Sequence, residues 1–163
     1  MGNRSDHEER RRVRTFQAHG VPDTDEEHEF NLIVHQAAAA VGTRMAEVSL
    51  FDRGRQWFKA RVGVGLSGIP IASSFPTHGI GGSGLLVVAD ATLDARFADD
   101  PLVTGGPHIR FYAGMTLRLD GVRVGTLSVF DDQPRHSLSA LQEDYLTYLA
   151  NRTVLALKAR RGR

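Results

Sequence analysis

Asp120-Gly121 stands between two apolar runs, Phe111–Leu119 and Arg123–Phe130, and no other feature restricts the possible folds of this chain as much. A tight two-residue turn matched to the right-handed twist of its strands needs positive φ at both central positions, which Asp tolerates and Gly favours. The spacing therefore predicts an antiparallel hairpin. A second hairpin is predicted upstream, because Ala46–Phe51 sets Val48 and Leu50 against Glu47 and Ser49, and a turn at 52–55 leads into Gln56–Val62. Strict alternation in that strand puts Phe58, Ala60 and Val62 on one side. Trp57, Lys59 and Arg61 fall on the other, half-exposed.

Helical periodicity frames these strands. Thr24 and Glu27 have the spacing of a capping box, and Phe30, Ile33, Val34, Ala37 and Val41 recur at helical intervals until Gly42, giving a helix over about Asp25–Val41. Ser139 and Gln142 open a second helix, about Ala140–Lys158. Its apolar residues form two stripes, Leu141, Tyr145 and Leu149 on one face and Leu146, Ala150, Thr153 and Leu157 on the next. The first is assigned to the core, and the second is left spare for a partner. Between hairpins, Leu85–Asp90 is continuously apolar, as expected of a strand near the sheet centre with both faces covered.

Residues 63–84 hold seven glycines and two prolines, which leaves room for no more than a short helical turn near Ser73–His78. The polar stretch 91–110 allows one short helix around Ala95–Pro101. The element order implies an α+β domain whose central antiparallel sheet carries both terminal helices on one face, with the two long loops covering the other. Structureless loops of that length in a compact domain are usually functional. The expected organisation is an arm at 1–21, a folded domain at 22–158 and a basic tail at 159–163.

Composition excludes several chemistries. With no cysteine, the chain can form no disulfide, thiolate nucleophile, Cys-ligated zinc or thioether link. No apolar run approaches the roughly 20 residues of a membrane span. The basic start MGNRSDHEERRRVR lacks the apolar stretch of an export signal, so a cytoplasmic, membrane-free protein is expected. Arginines gather at both ends over an acidic middle, but no aromatic residues interleave with them, and they read as solvated tails rather than a nucleic-acid interface.

Gly63-Val64-Gly65-Leu66-Ser67-Gly68 matches the dinucleotide fingerprint, which requires a helix opening at its third glycine. Ile69-Pro70 and the later Pro76 and Gly79 argue against that helix. Asp90, Asp94, Arg96, Asp99 and Asp100 are candidates to hold a cation or a polar ligand, but the aspartates read rather as acceptors for their own loop's amides, with Asp90 and Arg96 expected to pair. Arg110 is a candidate for an anionic ligand or for a loop Asp. His78 and His108 lie in the two roofing loops, so either is a candidate for haem or metal ligation. His28 and His35 fall at the solvent edge of the first helix. If Leu127 and Val129 face the helices, Thr126 and Ser128 face the loops as small hydrogen-bonding groups, and Tyr112 joins them from the neighbouring strand. Trp57, Phe75 and Phe97 are candidates to wall the cavity or to fill it. No nucleophile elbow, HExxH or P-loop occurs, and a non-enzymatic role is expected.

Several short motifs, in order, carry a resemblance. These are DATLDARF at 90–97, Pro101-Leu102-Val103, IRFYAG at 109–114 and VGTLSVFD at 124–131. Over roughly residues 24–158 the chain resembles the GAF domain family of small-molecule sensor modules in bacterial signalling proteins. The resemblance implies a sheet with helices on one face, a ligand pocket under loops on the other, and pairing through terminal helices into a homodimer. Many relatives carry Ser-Phe-Cys-x-His-x-Ile where this chain reads Ser74-Phe75-Pro76-Thr77-His78-Gly79-Ile80. Without that thiol, neither bilin attachment nor redox-cysteine chemistry carries over. The expected role is a sensory module binding an unidentified small molecule under 63–84 and 91–110. A ligand-free dimerisation or docking module is the alternative, and a haem or metal redox sensor through a loop His is a further one.

Overall fold

The computed structural model describes residues 28–52, 55–64, 68–70 and 84–159, together with His7, Arg10–Arg12, Arg14 and Thr15 of the arm. The elements are α1 (His28–Val41), β1 (Met45–Asp52), β2 (Arg55–Val62), β3 (Gly68–Pro70), β4 (Leu85–Val88), a 3-10 turn at Ala91–Leu93, α2 (Pro101–Thr104), β5 (Phe111–Leu119), β6 (Val122–Asp131) and α3 (Ala140–Ala159). Six antiparallel strands lie in the order β3-β2-β1-β6-β5-β4. This is the α+β architecture expected from the element order.

Local chemistry sets the ends of these elements. Asp120 at φ 51° and Gly121 at φ 78° form the expected tight turn between β5 and β6. Gly42, at φ 78°, stops α1 in the left-handed region. Arg135 then reaches back to the freed end of that helix, donating from Nη1 to the Val41 carbonyl (2.9 Å) and from Nη2 to the Gly42 carbonyl. A cation at a helix C-terminus meets both orphan carbonyls and the negative end of the dipole. At the start of α3, Ser139 and Gln142 exchange the two bonds of a capping box, at 2.9 and 3.1 Å. The other proposed capping box, at Thr24 and Glu27, lies outside the described residues, as do the turn at Ser73–His78 and the basic tail 160–163.

Helices α1 and α3 pack together on one face of the sheet. Phe30, Ile33, Val34 and Ala37 of α1 and Leu146, Leu149, Thr153 and Leu157 of α3 are buried over Val48, Leu50, Leu117, Leu127 and Val129. The stripe Leu146, Ala150, Thr153 and Leu157, expected to be spare, is therefore core. Leu141, Tyr145, Tyr148 and Leu155 are the exposed apolar residues of α3 instead. Residues three and four apart overlap on a helix, so Leu149 joins the buried set and draws the boundary one position away from the expected stripe.

Two further expectations are corrected. β4 is an edge strand beside β5, not central, and its apolar run reflects cover on both faces: Leu86 and Val88 join a core under 91–110, while Val87 packs toward the helices. In β2 the register to β1 skips a residue, with Val48 opposite Ala60 and Ser49 opposite Phe58, so Lys59 is the extra residue of a bulge. The bulge shifts the alternation. Trp57 lies in the helix-side core rather than on the loop side, and Lys59 is fully buried with Nζ 5.5 Å from the centre of the Phe30 ring. Among the described residues, no helix is long and apolar enough to cross a membrane.

Candidate functional site

On the sheet face away from α1 and α3, the three central strands place polar side chains in register. Glu47 on β1 stands opposite Ser128 on β6, and Ser49 stands opposite Thr126. Gly114 and Thr116 on β5 stand opposite Ser128 and Thr126 from the other side. Tyr112 joins them because Gly114 has no side chain: a Cβ there would sit 2.5 Å from the Tyr112 hydroxyl oxygen, so the ring lies in the space the glycine leaves. The Tyr112 hydroxyl is 2.7 Å from Ser128 Oγ, Ser128 Oγ donates to Thr126 Oγ1 at 3.3 Å, and Thr126 Oγ1 is 2.9 Å from Ser49 Oγ.

This floor is dry. Ser49, Thr126 and Ser128 are fully buried, and Glu47 and Tyr112 nearly so. Burial pushes the Glu47 carboxyl up from 4.5 to about 8, with a hydrogen bond from Ser49 partly offsetting the shift. Burial also raises the Tyr112 hydroxyl, and the Glu47 charge raises it further. Glu47 and Thr116 were not among the sequence candidates. Alternation did set Glu47 and Ser49 opposite Val48 and Leu50, but only the adjacency of β1 and β6 brings them beside Thr126 and Ser128.

Residues 91–110 cover the neighbouring part of this face. Phe97, Val103 and Ile109 pack with Tyr112, Phe130, Leu86 and Val88 in a second core. Aspartates fasten the segment as expected: Asp90 accepts from the Thr92 amide (3.0 Å) and hydroxyl (2.6 Å), and Asp100 caps α2 by accepting from the Leu102 amide (2.9 Å). Asp94, not Asp90, is the partner of Arg96, through bonds of 3.0 and 2.7 Å that hold the Asp94 carboxyl below its usual range. The fork of Arg96 fits the nearer carboxylate two residues back, while Asp90 is committed to its own turn.

The sequence candidates are thus distributed unevenly. Tyr112, Thr126 and Ser128 come together in one network, with Phe97 in the adjoining core. Arg110 does not pair with a loop Asp, and its Nη1 donates to the carbonyls of Val103 (3.0 Å) and Ile109 (3.1 Å). His108 is exposed at φ 60°. Trp57 lies across the sheet among the helices, its Nε1 buried with no hydrogen-bond partner. Phe75 and His78 lie outside the described residues. Among the described residues no three His, Asp or Glu side chains gather closely enough to hold a metal ion. Gly68, the third glycine of the fingerprint-like run, begins β3 rather than a helix.

The chain is similar to proteins that share this architecture. It is 41% identical over 128 residues to a cyclic di-GMP phosphodiesterase of Pseudomonas aeruginosa, a match covering 78% of this chain. The chain spans 22% of the length of that relative. Among solved structures, the GAF domain of an Acinetobacter phosphoenolpyruvate-protein phosphotransferase superposes with a TM-score of 0.61 at 17% identity, covering 99% of this chain and 95% of that one. The PixJ GAF domain of Thermosynechococcus elongatus, in its blue-light absorbing form, gives 0.65 at 16% identity over 91% and 88%. The phycocyanobilin-bound GAF domain of a cyanobacterial phytochrome gives 0.65 at 12% identity over 98% and 97%. At those identities the likeness is one of fold. The GAF domain model matches residues 20–157, and with that extent of agreement the chain belongs to the GAF domain family.

Proposed function

We propose that this chain is a non-catalytic sensory module that binds a small molecule between the sheet and the segments 63–84 and 91–110. Its ligand contacts would come from Tyr112, Thr126 and Ser128, with Glu47, Ser49 and Thr116 beside them and Phe97 as an apolar wall. One observation carries the reading. The middle of the sheet on this face holds a carboxyl and a chain of hydroxyls, where a domain needing only stability would bury apolar side chains. The relative's name suggests where the module acts: in cyclic di-GMP signalling in the cytoplasm, as a regulator of phosphodiesterase output rather than the hydrolase itself. Native mass spectrometry of gently purified protein should show a retained small molecule or, after its removal, thermal stabilisation by one member of a metabolite panel. An unliganded protein indifferent to the whole panel would count against the pocket.

Signal transfer through a homodimer is the second half of this proposal. Leu141, Tyr145, Tyr148 and Leu155 form one exposed stripe on α3, and the first three line an open groove of about 700 Å³ with Gln36, Ala39 and Ala40 of α1. An apolar stripe of this kind beside a second helix suits a bundle formed with another copy. Tyr148→Glu is expected to convert a dimer to a monomer in analytical ultracentrifugation while leaving the thermal midpoint of the subunit near its original value. A wild-type monomer at micromolar concentration would rule out the pairing. The haem or metal alternative would rest on His108, which is exposed, and among the described residues it belongs to no group of three His, Asp or Glu side chains that could hold a metal ion.

A further inference from the structure

The arm does not leave all of its arginines in solvent. Arg10–Arg12 have helical backbone, and Arg12 is buried. Its Nε donates to the Arg123 carbonyl at 3.1 Å, and its guanidinium lies 5.5 Å from the centre of the Phe51 ring, which the Arg123 guanidinium approaches at 5.9 Å. Arg12 and Arg123 each engage in a further interaction as well, so they anchor the arm and are not the groups offered to a ligand.

Beside this anchor, at the β5–β6 turn, lies a cavity of about 310 Å³ lined by Arg11, Arg12, Arg118, Arg123, Gly121 and Val122. Arg118 and Arg123 are directly opposite each other on β5 and β6, where like charges destabilise a sheet unless negative charge lies between them. The arm brings Arg11 to the same cavity rather than an acid. Asp120, in the turn, has an interaction of its own, and even set against the arginines it leaves the described residues here with a surplus of positive charge. Arg11 and Arg118 are both exposed. Four guanidiniums around one small cavity focus a positive potential into it, and the flat fork of each exposed one matches two oxygens of a phosphate.

We propose that this cavity is a second binding site, independent of the pocket under 63–84 and 91–110, and that it takes the diphosphate group of a small ligand. Arg11 from the arm and Arg118 from the hairpin grip the ligand, and Arg12 and Arg123 supply the field behind them. Two forks on separate elements suit two linked phosphates better than one. A compact anion fits better than a nucleic-acid backbone, because the arginines ring a cavity instead of running in a row along a face.

Inorganic pyrophosphate is the first probe, titrated calorimetrically into the full chain with sodium sulfate at matched ionic strength as the control, and ADP is titrated in parallel. Pyrophosphate is expected to bind where sulfate does not. Its affinity should fall at least about tenfold in Arg118→Ala and in Arg11→Ala, and stay unchanged in Lys158→Ala, which removes an exposed cation from the last turn of α3. Circular dichroism checks that the variants are folded. Tighter binding of ADP would assign the diphosphate to a nucleoside, and equal binding would show that free diphosphate suffices; both outcomes uphold the site. Absence of binding by pyrophosphate and ADP alike, or affinity kept in both arginine variants, would overturn it. A short DNA duplex that binds more tightly than either probe, through the same two arginines, would overturn the small-ligand class in favour of a nucleic-acid face.

Discussion

Replacing Glu47 with Gln is expected to stabilise the fold near pH 8 by on the order of 4 kcal/mol, with the gain shrinking to under about 1 kcal/mol near pH 5. The carboxyl is fully buried in the middle of the sheet, and burial raises it from 4.5 in the unfolded chain to about 8 in the folded one. A raised folded pKa means the native state holds its proton longer than the unfolded state does. The contribution is fully present below 4.5 and is lost progressively as the pH rises to about 8. Glutamine has nothing to ionise, keeps an oxygen to accept from Ser49, and fits the same volume. Tyr112, the titratable neighbour of Glu47 on β5, has its hydroxyl raised by burial and stays protonated through this window. Denaturant titrations of both proteins across the pH range measure the gap directly, and parallel pH profiles would show that Glu47 is already ionised, and therefore hydrated or charge-paired, in the native state.

The other large effect lies on α3. Leu149→Ala is expected to cost roughly 2–5 kcal/mol, since the side chain is fully buried between the sheet and α1 and its removal leaves a cavity. Leu155→Ala, on the exposed stripe, is expected to change subunit stability by no more than about 0.5 kcal/mol. Urea unfolding at low protein concentration separates the two. Comparable losses at both positions would mean that the exposed stripe is held against something even in the isolated subunit.

How far sequence reached depended on how local the deciding interaction was. The β5–β6 turn and the Ser139–Gln142 cap were readable because a few adjacent residues decide them. Alternation along β6 was enough to set Thr126 and Ser128 against Leu127 and Val129. The edge position of β4 was not readable, because an apolar run looks the same wherever both faces are covered. Nor was the choice of core stripe on α3, which depends on how the helix rolls against α1. Glu47 looked like an ordinary polar residue of an alternating strand. Its significance comes from β6 lying next to β1, which sets Glu47 opposite Ser128, far along the chain.

The extra residue at Lys59 sets the odd-even parity of β2. Because Lys59 is left unpaired, Trp57 and Ala60, three positions apart, share the helix side, and deleting Lys59 would leave Phe58 opposite Ser49 and Trp57 opposite Leu50 with their faces unchanged. A relative without the extra residue therefore presents the same β2 faces, provided that it is aligned with a one-residue gap at Lys59. Aligned without that gap, every position from Phe58 to the start of the strand is assigned to the wrong face.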